Sequence, residues 1–225
     1  MGSLGANEKH LNCPEAIRDR ILSKACSGMF SDELDQMGLR NQVITGLVMN
    51  RNGKIYGKAR TILIETKETR DENIAKGLGF FEKLRPGEIL CVQGSSKFAY
   101  FGELMSRLAV RQKLGGVVIG GLTRDSAYTR DLEELVIFAE GYSPRDIKGR
   151  GSVKETDAAI TIKGIPIHPG DYLFGDGDGL VVIPSIYHAE VEACVKNKIA
   201  EEERIIEAIS QGLSVRKILE LYREF

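Results

Sequence analysis

The sequence predicts a mixed α/β domain, on three observations. Amphipathic helical periodicity marks both ends of the chain, as in PEAIRDRILSKA near the start. Apolar runs of strand length, such as GGVVIGG and GLVVIP, fill the middle, and none approaches the roughly 20 residues that span a bilayer. Between them a strand, a helix and another strand follow one another over residues 89–120, the order that builds a parallel pair. The 225 residues are 42% hydrophobic, enough for one sizeable core, so residues 1–225 are expected to form a single domain.

The first helix is expected over Pro14–Ala25, because Pro14 suits a first turn and Ile17, Ile21 and Leu22 share a face. Ser31-Asp32-Glu33-Leu34 reads as a cap followed by acids and should begin a second helix that stops near Gly38. Strands are expected at 43–48 and 54–65, either side of an Asn52-Gly53 turn, with Gly57 marking a bulge or a close backbone approach. Glu72–Lys83 should be helical, Pro86-Gly87 a turn and Ile89–Val92 a buried strand. The helix Gly102–Lys113 should turn Leu104, Leu108 and Ala109 inward and end at Gly115-Gly116, before the strand Val117–Gly120.

A short helix capped by Asp131 and a strand at Val136–Ala139 come next. From Gly151 the pattern is β, with strands at 159–163, 165–167, 172–174 and 180–183 and turns at Pro169–Asp171 and Asp176–Gly179. Helices near 186–211 and 214–224 close the chain, the last amphipathic through Val215, Ile218, Leu219 and Tyr222.

Several function classes drop out. Lys and Arg number 31 against 32 Asp and Glu, and the basic excess usual in nucleic-acid and membrane binders is missing, so neither partner is expected directly. MGSLGANEKH lacks a basic stretch followed by an apolar one, and Ala6 stands where a myristoylation signal wants Ser or Thr; the expected location is the cytoplasm. Cys13, Cys26, Cys91 and Cys194 form no C-x-x-C pair and read as buried or idle thiols. His10, His168 and His188 are scattered and do not resemble a zinc set.

The glycines of GGVVIGG bracket a strand instead of joining a strand to a helix, which argues against a dinucleotide loop. Asp176-Gly-Asp-Gly opens like a calcium loop but continues with Leu180 and Val181 where oxygen and glycine belong, so a tight hairpin is expected. No G-x-S-x-G elbow is present.

Carboxylates and arginines remain. Within residues 120–135 the triplet Thr-Arg-Asp occurs twice, at 123–125 and 129–131. Arg124-Asp125 follows directly on an apolar strand, where side chains line crevices in α/β folds. An Arg there can clamp a carboxylate and an Asp can hold a hard cation, but the same dipeptide is common on solvated surfaces. Arg130-Asp131 leads into LEEL, and Asp131 reads as a helix cap. Glu103 opens a helix whose first amides lack intrahelical partners, a place that favours anions.

Tyr100-Phe101-Gly102-Glu103-Leu104-Met105-Ser106, then GGVVIGGLTRD, then HPGDYLFGDGDGLVVIP at 168–184 together resemble the RraA-like family over roughly residues 30–210. That family contains class II 4-hydroxy-4-methyl-2-oxoglutarate/4-carboxy-4-hydroxy-2-oxoadipate aldolases, which also decarboxylate oxaloacetate, and the ribonuclease E regulator RraA. The resemblance implies a β/β/α sandwich like the swivelling phosphohistidine domain, flanked by N- and C-terminal helices. It also implies homotrimers, often paired into hexamers, with sites between subunits.

By the same resemblance, Asp125 would hold Mg²⁺ or Mn²⁺, and Arg124 would bind the pyruvyl part of a 2-oxo acid substrate. Glu103 would contact metal-bound water, where relatives commonly carry Asp. Gly102 and the amides near Leu104 and Met105 would receive substrate oxygens, and Glu202 of a neighbouring subunit, flanked by Glu201 and Glu203, would point at the metal waters. The alternative is a non-catalytic RraA-type regulator that binds a ribonuclease or another protein. RraA itself lacks the acidic half of Arg-Asp, so Asp125 favours the metal-dependent branch. Two departures lie near the pocket rim: a longer segment between Asp125 and Asp131, and LVIF at 135–138 where relatives often read FPVF.

Overall fold

A computed structural model describes residues 14–67 and 74–222. His10, Cys13 and Glu72, together with the N-terminal segment, lie outside the described residues.

The chain opens with α1 (Pro14–Lys24) and α2 (Ser27–Gln36). The second helix starts earlier than the Ser31 cap reading: Cys26 sits at its N-cap, and the Ser27 amide and hydroxyl both bond the Asp176 carboxylate at 2.8 Å. A carboxylate distant in sequence therefore satisfies this helix start, which local pattern could not show. Gly38, at φ +80°, ends it as expected. Two short strands follow, β1 (Val43–Ile44) and β2 (Val48–Met49), where one was expected; Gly46 at φ +74° breaks the run.

The long β3 (Ile55–Thr66) precedes α3 (Ile74–Phe81) and β4 (Ile89–Gln93). A Cβ on Gly57 would lie 2.1 Å from the Gly87 carbonyl oxygen, so the close-approach reading holds. An unexpected strand, β5 (Ala99–Phe101), follows; at three residues it is too short to show a period-2 pattern. Next come α4 (Glu103–Arg111), β6 (Gly116–Thr123), α5 (Ser126–Thr129) and β7 (Ile137–Tyr142). The chain then runs through β8 (Gly151–Thr156), β9 (Ile160–Ile162), β10 (Ile165–Ile167), β11 (Tyr172–Gly175) and β12 (Leu180–Ile183). Helices α6 (His188–Ser210) and α7 (Val215–Leu221) finish it. Ser214 caps α7 by accepting from the Lys217 amide at 3.3 Å. Only Ile218 of its expected apolar face is buried; Val215 and Leu219 are exposed.

The main sheet runs β1-β12-β11-β3-β4-β6-β7-β2, with β5 added beside β6 and β8 beside β3. The strands β3, β4, β6 and β7 are parallel, and β11 and β12 join antiparallel through the Asp176–Gly179 hairpin. The two ends of this order, β1 and β2, are separated in the chain only by residues 45–47, so the sheet must curl until its edges nearly meet.

Three apolar layers result, one of them packing Phe80, Phe81 and Ala109 of α3 and α4 against Leu90, Val92, Val117 and Ile119 of the sheet. Ile55, Ala59, Cys91, Val118, Phe138, Ile160 and Ile162 fill the inside of the curl, where burial pushes the Cys91 thiol upward in pKa. The helices α1, α2 and α6 cover Tyr56, Phe174, Val181 and Ile183 on the outer face. The architecture is the mixed α/β sandwich with helices at both ends that the sequence and its resemblance implied.

Candidate active site

The parallel strands bring together segments that are distant in sequence. β5 lies beside the end of β6, with Ala99 opposite Leu122 and Phe101 opposite Thr123. The Phe101 carbonyl accepts from the Arg124 amide at 3.0 Å and from the Thr123 hydroxyl at 2.8 Å. Gly102, immediately after β5, is thereby fixed against Arg124 and Asp125, immediately after β6.

Gly102 is the N-cap of α4 and has extended backbone. A Cβ there would lie 2.4 Å from Asp125 Oδ2, 2.8 Å from Arg124 Cγ and 3.0 Å from Arg124 Nε. Absence of a side chain at 102 is what lets both functional groups lie across the helix start. The Glu103 amide donates to Asp125 Oδ2 at 3.0 Å. The anion expected at this helix terminus is thus Asp125 itself. The amides of Leu104 and Met105 come before the first i→i−4 bond, from the Ser106 amide to Gly102 oxygen at 3.0 Å. Leu104 is 76% exposed beside them, not turned inward as its spacing predicted; Ala109 is buried and Leu108 partly so. The helix sits at the rim, so its first turn has no layer above it.

Asp125 adopts the left-handed conformation, φ 59° and ψ 42°. That conformation costs a non-glycine residue about 1 kcal/mol or more and clusters at functional sites. Its carbonyl accepts from the amides of Tyr128 and Thr129, both at 3.0 Å, so the turn that aims its side chain also starts α5. Arg130-Asp131 therefore ends this helix, and no helix begins at Asp131, contrary to the cap reading. Residues 126–129 form that turn.

Arg124 lies between two carboxylates. Its Nε is 3.6 Å from Asp125 Oδ2, and Nη1 is 3.2 Å from Asp146 Oδ2. Asp146 was missed by sequence reasoning; Arg145-Asp146 is one of five Arg-Asp dipeptides in the chain, so the pair alone does not single it out. Its loop is tied to β5 by two bonds, Ala99 amide to Arg145 oxygen at 2.8 Å and Ile147 amide to Ala99 oxygen at 3.0 Å. Glu103 turns along its own helix to Arg107, whose Nε and Nη2 are each 2.8 Å from Oε1.

Charges within the cluster do not cancel. Glu103 and Arg107 balance, while one guanidinium faces two aspartates, which leaves a surplus negative charge beside an exposed carboxylate. Among the described residues no three His, Cys, Asp or Glu side chains group as a complete metal cage. The donor set nevertheless suits a hard divalent ion. Mg²⁺ is commonly held by one or two carboxylates and keeps several waters, and no soft ligand is needed.

Glu202 lies on α6, half-buried, and no hydrogen bond or ion pair among the described residues joins it to this cluster. Its neighbour Glu203 pairs with Lys24 at 3.2 Å and Arg20 at 3.8 Å. The structure therefore brings Gly102, Glu103, Arg124, Asp125 and Asp146 together within one chain, with Leu104 and Met105 on the adjoining turn, but not Glu202.

This combination of curled sheet, helix-opening glycine and Arg-Asp pair is that of a known class. The family model described as RraA-like, Aldolase/RraA, matches residues 28–182, and the chain belongs to that family. A relative from Halalkalibacterium halodurans is 31% identical over 193 residues, covering 84% of this chain and 88% of its own length; it is provisionally named as a 4-hydroxy-4-methyl-2-oxoglutarate aldolase. Protein DlpA of Legionella pneumophila is 27% identical over 87% of this chain, which spans 32% of that longer protein. Among solved structures, an uncharacterized protein from Pseudomonas syringae superposes with a TM-score of 0.77 at 25% identity, covering 91% of this chain and 96% of that one. RraAS2 of Streptomyces coelicolor, a member of the RNase ES inhibitor RraA family, gives 0.73 at 24% identity, covering 85% and 95%, and speaks to the fold.

Proposed function

We propose that this protein is a divalent-metal-dependent lyase that cleaves a 4-hydroxy-2-oxo acid to pyruvate through an enolate. Oxaloacetate decarboxylation, which forms the same enolate, would be a second reaction of the same site. The observation that carries the reading is the packing of Asp125 and Arg124 across the side-chain-free Gly102 at the start of α4.

In the retro-aldol direction the C4 hydroxyl loses its proton, the C3–C4 bond breaks, and the electron pair arrives on the former 2-oxo oxygen. Protonation at C3 then gives pyruvate, and C4 leaves as a carbonyl. Mg²⁺ or Mn²⁺ held by Asp125 would supply Lewis-acid stabilisation of that developing charge. Arg124 offers charged N–H donors to the pyruvyl carboxylate and the adjoining oxygen. The Leu104 and Met105 amides, at the positive end of α4, hold the remaining carboxylate oxygen. Asp146, 3.2 Å from Nη1, fixes the guanidinium, so less freedom is lost when substrate arrives. Glu103 orients solvent at the helix start. Glu202 from a neighbouring copy in a homotrimer or hexamer would orient the solvent that takes the C4-hydroxyl proton.

The test is pyruvate release from oxaloacetate and from 4-hydroxy-4-methyl-2-oxoglutarate, with Mg²⁺ and with chelator. The expected result is metal-dependent release that falls at least 100-fold in Asp125→Ala. Full activity in that variant refutes the site. No metal-dependent release from any 2-oxo acid, with tight binding to a ribonuclease, would favour the regulator reading instead.

A further inference from the structure

A second cleft lies at the opposite end of the sheet. Ile17, Arg18, Tyr56, Lys58, Gly87 and Tyr172 line it, with His188 and Glu192 at its base, around about 440 Å³. Gly87 lies two residues before β4 and packs against Gly115 before β6, whereas Arg124 and Asp125 follow the other end of β6. Eight residues of strand, roughly 26 Å, therefore separate the two places.

Its floor is a polar cluster in an otherwise apolar layer. Tyr56 Oη is 2.7 Å from His188 Nε2 and donates to Glu192 Oε2 at 2.9 Å. If the phenol proton goes to the glutamate, Nε2–H of His188 donates to the phenol oxygen and Nδ1 is left as an acceptor. The Glu192 carboxylate is occupied further by Lys196 at 3.2 Å. Glu88 is occupied by Arg60 at 3.2 Å and by the Arg85 amide at 2.8 Å. Both acids near the cleft are thus neutralised. Arg18 bonds the Tyr56 carbonyl at 3.0 Å, and Lys58 joins no ion pair among the described residues. His188 also begins α6, so the positive end of a 23-residue helix adjoins the cleft. The balance of charge favours an anion and disfavours a cation.

Shape supplies the other half of the specificity. Lys58 and Tyr172 are directly opposed across the β3–β11 ladder, so an ammonium and an aromatic ring stand side by side. The Tyr172 ring stacks on His188 with centroids 3.4 Å apart and planes within 12°. A flat ring can continue that stack while its carboxylate reaches Lys58. A cavity of this size with a few convergent polar groups is typical of small-molecule sites.

We infer that this cleft is a second binding site, distinct from the Arg124–Asp125 cluster, for a small planar monocarboxylate. Benzoate is the probe, and calorimetry on the intact chain without metal or substrate is the measurement, so the result does not depend on the lyase reading. Expected are saturable binding, at least tenfold weaker binding of benzamide, and a loss of at least tenfold in both Lys58→Gln and Tyr172→Ala. Binding should be unchanged in Arg124→Ala. Lys58 is exposed, so its substitution should leave the unfolding midpoint in place and report on binding alone. Absence of binding at millimolar benzoate, equal binding of benzamide, indifference to Lys58→Gln, or loss of binding in Arg124→Ala would each overturn the inference.

Discussion

Gly102→Ala is the sharpest test of the proposed site. Extended backbone at φ −152°, ψ −161° is open to alanine, so the main chain has no reason to move. The added methyl would stand 2.4 Å from Asp125 Oδ2, while an ordinary contact begins at 3.4 Å, so the carboxylate must retreat by about 1 Å. Arg124, at 2.8 and 3.0 Å, must shift with it. Displacements of that size cost on the order of 100-fold in rate when the groups stabilise a transition state. Stability should change little: the strained Glu103 amide bond is worth about 1 kcal/mol, and alanine restores about 0.4–1 kcal/mol by restricting the unfolded chain. The assay is metal-dependent pyruvate release, coupled to NADH oxidation, beside a thermal unfolding curve. Activity within twofold of the parent would show that the packing of Arg124 and Asp125 over Gly102 has no part in catalysis.

Other outcomes follow from the same structure. Asp146→Asn should raise KM for pyruvyl substrates about tenfold, on the order of 1.4 kcal/mol, with a smaller change in kcat, because the guanidinium loses that ionic support; an unaltered KM would deny Asp146 that role. Gly57→Ala should destabilise the fold by about 1–3 kcal/mol, since its methyl would meet the Gly87 backbone at 2.1 Å, and chemical denaturation measures it. Burial lowers the pKa of His188 from its ordinary 6.5, against a smaller opposing pull from Glu192. The unfolded chain then binds the proton more readily, so this contribution to stability is whole above 6.5 and is lost as pH falls from there toward the folded value. His188→Gln should flatten stability against pH in that window, and an unchanged slope would exclude the histidine as its cause.

Much of the site was legible because its determinants are local. Glu103 and the Arg124-Asp125 pair sit at element ends, where an acid and a strand terminus leave compositional marks, while Gly102 entered through the family resemblance. What was illegible depended on partners distant in the chain. Asp146 gave an Arg-Asp signal but no spacing to link it with Arg124, because the link is a loop held on β5 by two backbone bonds. Asp131 looked like a cap because Asp before LEEL is a good local start, yet the left-handed turn at Asp125 had already placed a helix upstream. His188 and Glu192 are spaced i, i+4, which could have flagged them as a pair, but only β3 brings Tyr56 to meet them.

Sequence alone determined most of the helices and strands, though not β5, the split of β1 from β2 or the helix at Ser126, together with the glycine punctuation and the residues rich in chemistry, since periodicity and turn preference act within a few residues. Tertiary structure decided that the sheet curls until β1 and β2 close it, which carboxylates share Arg124, and that a second cleft opens at the opposite end of the sheet from the first site. Those outcomes are set by backbone pairing and burial between segments tens of residues apart, and no local pattern records them.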